Sequence, residues 1–192
     1  MPSRGKTGEA WVSGRMLGTF TRWASALQVG VFLGKNPWFS HGLPRARVTL
    51  RELARDPDRC LIVIDPRRTE TAARGRASAG FTGRRCLAAG SDVRSARAED
   101  RLADDWIEAH CDGLETVRPH FAALPIAEYC ARAGVPESQV RAAARRIADA
   151  RSVAFFEDLG VQMNRHSTLV SYLRRLLVYG TGTTAARAAR IP

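Results

Sequence analysis

Two short segments of the sequence are dense in groups that bind nucleotides. Residues 34–42, GKNPWFSHG, offer a backbone-permissive glycine, an amide side chain and further polar side chains. Residues 65–71, DPRRTET, offer a carboxylate that can accept hydrogen bonds from nucleoside hydroxyls or a base edge. They also offer an arginine whose planar fork of donors fits a phosphate. The two segments predict a nucleotide-binding site with the candidates Gly34, Lys35, Asn36, Ser40, Asp65 and Arg67.

The residues that precede these segments are predicted to be neighbouring strands. Residues 29–33 and 61–64 are short apolar runs rich in β-branched side chains, which is typical of buried strands. Between them, residues 45–55 repeat apolar positions at roughly helical spacing. Strand, helix and strand make a βαβ unit with a parallel sheet and a right-handed crossover. Because ligands of such units bind beyond the carboxyl ends of the strands, both segments stand where a ligand is expected.

A purely structural role accounts for the same residue types. Asn36 and Ser40 could cap the helix over residues 45–55. Asp65 and Arg67 could form a surface ion pair, which would contribute little stability. On residue types alone, helix capping and nucleotide contact stay open as alternatives for the first segment.

The second half of the chain continues the α/β pattern. A third strand is predicted over 153–156, and polar groups follow it at Gly160, Gln162, His166 and Ser167. A turn and the start of a helix would explain the same four residues. Helices are predicted over 103–111, 125–132, 137–150 and 166–179, the last with Leu169, Tyr172, Leu173, Leu176 and Leu177 on its buried side.

Length and cysteine usage exclude several classes of protein. A chain of 192 residues has the size of one domain. No apolar run reaches the roughly 18 residues of a membrane span, and the first residues lack the apolar stretch of a signal peptide. The cysteines lie far apart without a C-x-x-C pair and predict reduced thiols in a cytoplasmic protein, not a metal site: Cys60, Cys86, Cys111 and Cys130.

The formal net charge of +11 raises a different possibility, a basic nucleic-acid-binding protein. Much of the excess lies in residues 74–101, an Arg-rich tract without apolar periodicity that reads as a polar linker. No aromatic platform or groove-binding motif accompanies the tract. We therefore expect any nucleic-acid binding by the tract to be independent of sequence and to be abolished by salt.

Four stretches together resemble the molybdopterin-dependent oxidoreductases, in the branch that includes formate dehydrogenases. They are GKNPWFSHG, IVIDPRRTETA, GVPESQVRAAARRIA and EDLGVQMNRHSTLVSYL, in the order and at the spacing of that family. The resemblance implies a partial Rossmann-like α/β domain over 29–179. An irregular segment over 1–28 precedes it, and an atypical tail over 180–192 follows.

The resemblance also implies a cofactor, molybdenum bis-(molybdopterin guanine dinucleotide). Asp65 and Arg67 match residues that help bind its guanosine part, and residues 160–167 match a loop near a pterin. Full-length relatives also carry a [4Fe–4S] cysteine motif, a molybdenum ligand and electron-transfer subunits. This sequence matches neither the cysteine motif nor the residue that ligates molybdenum, so no catalytic residue and no metal ligand is assigned. The chain alone is expected to be inactive.

The Arg-rich tract stands where the family has a segment with His, Pro-Gly and Asp-Ala-Trp. Residues 77–93 can be encoded so that the frame one nucleotide later reads HQLGSPGGDAWLLGAMC, which restores those groups. Residues 182–190 can be encoded so that another frame reads HYGRPGGTN, close to an expected glycine-rich loop. The hypothesis is that both stretches come from shifted reading frames, which leaves the rival interpretation of an inactive product of a disrupted gene.

We predict that the DNA of the locus carries both family-like strings in the alternative frames. Sequencing across codons 77–93 and 182–190 provides the measurement. Stop codons or unrelated residues in those frames would show that the Arg-rich tract is a genuine part of the protein.

Overall fold

The central element of the structure, a computed structural model, is a four-stranded sheet with the order β3-β2-β1-β4. All its pairs are parallel, which confirms the predicted α/β class. The strands are β1 Val29–Leu33, β2 Cys60–Asp65, β3 Ala77–Gly80 and β4 Val153–Glu157. The structure describes residues 27–40, 43, 45–74, 77–80, 107–109 and 111–180, with the backbone alone at 77–80 and 114–115.

Helices cover both faces of the sheet. They are α1 Ala46–Arg55, α2 Leu114–Ala122, α3 Ile126–Ala133, α4 Glu137–Ala148, α5 Leu159–Gln162 and α6 Ser167–Gly180, and a 3-10 turn lies at Ala72–Arg74. Within the described ranges, no helix is both long and apolar enough to cross a membrane. None of the described cysteines is in a disulfide.

The side chains of β1 point alternately into two apolar clusters. Val29, Val31 and Leu33 belong to the cluster under α3, α4 and α6. Phe32 belongs to the cluster under α1 and stacks on Phe156 of β4, with ring centroids 4.8 Å apart. A strand buried on both faces reads as an uninterrupted apolar run, which is why the sequence identified β1 and β2 so directly.

Strand β3 corrects the interpretation of residues 74–101 as a polar linker. Residues 77–80 pair in parallel with β2, and Ile62 is level with Ala77. Backbone hydrogen bonds to a neighbouring strand require no alternation of apolar residues, so the sequence of residues 77–80 does not indicate a strand. The remainder of the tract from 81 to 101, most of the segment 1–28 and the tail beyond 180 lie outside the described residues.

Helix positions are predicted better than helix faces. In α6 the predicted positions Leu173 and Leu177 are buried, but Leu169, which was also expected to be buried, is 47% exposed. The buried stripe of α6 also includes Val170, Arg174 and Val178, which were not predicted. The stripe is rotated because α6 packs against both β4 and α5, and α5 was not predicted. Helix α2 was also missed, since Pro119 lies inside it.

Two glycines fix the distance between the end of β1 and the start of α5. Gly34 has a positive φ of 55°, and a Cβ added to it would lie 2.7 Å from the Gly160 carbonyl carbon and the Val161 nitrogen. The Gly160 N–H donates to the Gly34 carbonyl oxygen over 3.1 Å. These backbones touch directly, so a side chain at either position would force them apart.

We predict that Gly34→Ala lowers the free energy of unfolding much more than Gly134→Ala. Gly134 is the matched control because its φ is 71° but no atom lies within 4 Å of its added Cβ. The control should lose about 1–2 kcal/mol from the backbone conformation alone. Gly34→Ala should lose about 1–3 kcal/mol more from overpacking. Thermal denaturation of the full chain measures both, and equal losses would show that the contact between Gly34 and Gly160 is not tight.

Candidate functional site

Three polar loops meet at the carboxyl edge of the sheet because the strands that lead to them are in register. Leu33 of β1 is level with Ile64 of β2 on one side and with Glu157 of β4 on the other. The Gly34 N–H donates to the Ile64 carbonyl oxygen, and the Asp158 N–H donates to the Leu33 carbonyl oxygen. We name the loops loop 1 (34–40), loop 2 (65–71) and loop 3 (158–167).

Asn36 joins loop 1 to loop 2. Its side-chain N–H donates to Glu70 Oε2 over 2.9 Å, and its carbonyl oxygen accepts a 2.6 Å hydrogen bond from Thr71 Oγ1. The Trp38 N–H also donates to Thr71 Oγ1, over 3.2 Å. Because both ends of the Asn36 amide bind within the protein, this side chain orders the two loops.

The helix-capping alternative for loop 1 is wrong. The residue that caps α1 is Arg45, which has a left-handed backbone with φ of 52°, and no side chain caps the helix. The Ser40 hydroxyl is buried without a hydrogen-bond partner in the described part of the chain. A buried hydroxyl without a partner is costly, so Ser40 has a group that a ligand could satisfy.

Loop 2 is held by its own side chains. Asp65 Oδ1 accepts a 3.0 Å hydrogen bond from the Arg67 N–H, and Thr69 Oγ1 accepts one from the Ala72 N–H. The predicted surface ion pair between Asp65 and Arg67 is absent among the described contacts. The Arg67 guanidinium instead lies 3.9 Å from the Glu70 carboxylate, and its side chain is 73% exposed. Asp65 therefore shapes the turn and leaves the guanidinium available to solvent.

Lys35 joins loop 1 to loop 3. Its Nζ lies 2.5 Å from Asp158 Oδ2, and the lysine is buried. The other Asp158 oxygen accepts a 2.8 Å hydrogen bond from the Leu159 N–H and so caps α5. Burial of a lysine charge is tolerated only with a partner, so Lys35 and Asp158 hold the two loops together.

A buried ion pair supports loop 3 from below. Arg174 Nε donates to Glu157 Oε2 over 2.8 Å, and both side chains are almost inaccessible. Ser171 Oγ donates to the other Glu157 oxygen over 2.6 Å, and Gln162 Nε2 approaches it to 3.3 Å. Glu157 and Arg174 were not predicted. The sequence contains a sign of this pair, because Glu157 ends an apolar strand and Arg174 lies within an apolar helix.

His166 and Ser167 lie where loop 3 enters α6. His166 is exposed, and its N–H donates to Asn164 Oδ1 over 3.0 Å. Ser167 is only 1% exposed, and its hydroxyl, like that of Ser40, has no partner in the described residues. Asn36 is thus joined to loop 2 through Glu70 and Thr71, which were not among the candidates, and the contacts of Gly34 with Gly160 and of Lys35 with Asp158 connect loop 1 to loop 3.

The three loops carry side-chain groups of the kinds that bind the polar part of a nucleotide. Ser40 and Ser167 contribute hydroxyls without partners, and Arg67 contributes an exposed guanidinium. No cluster of three or more His, Cys, Asp or Glu side chains with metal-binding geometry occurs in the part of the chain that the structure describes. The last two residues of the predicted segment 34–42, His41 and Gly42, lie outside the described residues.

The surroundings of Glu70 shift the pKa of its carboxylate. Its own backbone N–H, then the Asn36 amide and last the positive charge of Arg67 lower the pKa of Glu70 from 4.5, against a small opposing effect of burial. A lowered pKa favours the ionised form in the folded state. The resulting stability is present above the unfolded pKa and is lost as the pH falls through the folded pKa.

We predict that Asn36→Ala raises the pKa of Glu70 part of the way towards 4.5, because the backbone hydrogen bond remains. Arg67→Gln, the control, should raise it less, since its charge is 3.9 Å away and exposed. A carboxyl-carbon NMR titration of the full chain reads both values. A larger rise in Arg67→Gln would mean that charge, not the amide, orders Glu70.

Comparison with known proteins tests the fold. No family model and no curated protein matches the sequence. Among solved structures, acetylene hydratase from Pelobacter acetylenicus matches with a TM-score of 0.81 at 19% sequence identity. The match covers 94% of this chain and 24% of that one, so the chain spans about a quarter of that enzyme's length. At this identity the likeness shows the fold alone, an α/β domain with a parallel sheet.

Proposed function

We propose that this chain is part of a molybdopterin-dependent oxidoreductase of the formate dehydrogenase-like branch and binds the guanosine end of a pterin dinucleotide. The observation that carries the proposal is the joining of loops 1 and 2 by Asn36, Glu70 and Thr71 at the carboxyl edge of a parallel sheet. That edge is where open α/β sheets bind nucleotides. The likeness in fold to about a quarter of acetylene hydratase supports the part of the proposal that makes this chain a piece of a larger enzyme.

The residues of the three loops divide into those proposed to bind the dinucleotide and those that hold the loops together. Asp65 offers its second carboxylate oxygen to the nucleoside, and Arg67 offers a phosphate-binding fork. Ser40 would donate or accept through its hydroxyl, which has no partner among the described residues, and Ser167 would do the same in the loop that resembles one near a pterin. Lys35 and Asn36 act indirectly, because their polar ends already bind Asp158, Glu70 and Thr71.

A molybdenum–pterin centre, when bound, supplies two-electron chemistry, and the protein supplies binding and orientation. This chain's own contribution is the rigid loop geometry that positions the dinucleotide. Substrate contacts, the metal ligand and the iron–sulfur cluster belong, in this proposal, to parts of a relative that this sequence does not match. The compartment we propose is the cytoplasm.

We expect the full chain to bind GDP, a probe of the guanosine end, more tightly than ADP, as measured by titration calorimetry. Arg67→Gln should weaken GDP binding about ten- to a hundredfold, because a charged hydrogen bond contributes about 1.5–3 kcal/mol. Asp65→Asn should weaken it as well and should also reduce the preference over ADP.

Two controls match these variants. Arg68→Gln removes an exposed charge from the neighbouring position, and Asp58→Asn removes a carboxylate from the turn before β2, at the opposite edge of the sheet. Neither should change GDP affinity. Equal effects of Arg67→Gln and Arg68→Gln would reduce the binding to general charge attraction and contradict the proposal.

The same preparation separates the proposal from the rival of an inactive product. A chain that binds GDP but does not oxidise formate with a dye acceptor is a cofactor-binding part without a reaction centre, which is the result we expect. Turnover by cofactor-loaded chain would place the reaction centre within these residues and contradict our assignment of no catalytic residue. Absence of GDP binding would favour the inactive product.

A further inference from the structure

Three arginines surround one indole ring on the α1 side of the sheet. The guanidinium carbons of Arg47, Arg51 and Arg74 lie 5.6, 5.2 and 3.8 Å from the centre of the Trp38 ring. Arg47 also lies 5.8 Å from the ring of Phe39, which is 63% exposed. We name this surface the Trp38 face. It comprises Trp38, Phe39, Arg47, Arg51 and Arg74.

Among the residues that the structure describes, the arginines of the Trp38 face have no acidic partner, in contrast to two arginines on the other side of the sheet. On the opposite side of the sheet, Arg132 pairs with Glu128 at 3.2 Å and Arg141 pairs with Glu137 at 2.7 Å. Within the described ranges, no carboxylate lies within ion-pair distance of the three arginines around Trp38. The positive charge of this protein is therefore partly segregated onto one face.

This arrangement is electrostatically unfavourable in the absence of a ligand. Arg47 and Arg51 are spaced i,i+4 on α1, and Arg55 continues the row. Like charges at this spacing destabilise a helix. The face of an indole attracts each cation, but it does not neutralise any of them. A bound anion would remove the repulsion between the guanidiniums.

We propose that the Trp38 face binds single-stranded nucleic acid without sequence preference. The arginines would hold successive phosphates through the free edges of their guanidiniums, and the exposed ring of Phe39 would stack on a base. The surface uses other side chains than the proposed guanosine site, although Trp38 and Phe39 lie in loop 1 and the Trp38 N–H bond to Thr71 keeps the two adjacent.

An acidic peptide would satisfy the arginines equally well but would leave Phe39 without a use. An exposed aromatic ring beside a guanidinium is the combination with which sequence-tolerant single-strand binding proteins hold bases. The ring and the charge together favour a nucleic acid over a peptide.

The test is fluorescence anisotropy of a labelled oligothymidine of about 15 nucleotides with the full chain. Arg47→Gln/Arg51→Gln/Arg74→Gln should reduce the magnitude of the log-affinity versus log-salt slope by about 2, as expected for three lost phosphate contacts. Phe39→Leu should weaken binding at least about fivefold, because one stacking contact is lost. Glutamine and leucine keep helix propensity and apolar surface, and circular dichroism checks that each variant folds.

The matched control is Arg132→Gln/Arg146→Gln/Arg151→Gln, which removes the same charge from exposed positions away from the Trp38 face. It should leave the slope close to that of the parent. Equal losses in both triple variants, or an unchanged slope in the first, would overturn the proposal and assign binding to general charge or to other parts of the chain.

Equally effective competition by polyglutamate of matched charge, with no effect of Phe39→Leu, would overturn it in favour of an acidic protein partner. Asp65→Asn and Arg67→Gln should not affect oligonucleotide binding, which separates this test from that of the guanosine site.

Discussion

Parallel pairing of β1 with both β2 and β4 is the constraint on which the candidate site depends. Because Leu33 is level with Ile64 and with Glu157, the chain must leave all three strands at the same height. Three loops that are up to about 120 positions apart in sequence thereby converge on one edge. The contact between Gly34 and Gly160 then sets how closely loops 1 and 3 approach.

Once the loops converge, several polar side chains hold them together instead of facing outward. Lys35 binds Asp158, Asn36 binds Glu70 and Thr71, and Gln162 approaches the buried pair of Glu157 and Arg174. A network of this kind is preorganised, so a ligand need not order the loops itself. In the described part of the chain the hydroxyls of Ser40 and Ser167 have no hydrogen-bond partner, and the guanidinium of Arg67 is largely exposed.

The distribution of charge distinguishes the two sides of the sheet. Under α3, α4 and α6, the arginines with described ion pairs have glutamate partners, either one turn away on the same helix or at the end of β4. On α1 the corresponding charges stack on aromatic rings. A net charge of +11 does not reveal this separation, because composition records the number of charges and not their neighbours.

The sequence by itself determined the elements with strong local signals. Short apolar runs identified β1, β2 and β4, and helical periodicity identified α1, α3, α4 and α6. The α/β class and the meeting of loops 1 and 2 at one edge were therefore predictable. Only the tertiary structure decided what depends on contacts between distant residues. It placed β3 by a backbone ladder, rotated the buried face of α6 towards Arg174, and turned Asn36 and Lys35 into links between loops. Periodicity reports which positions are apolar, whereas the partner of a buried polar group is set by the chain that folds against it.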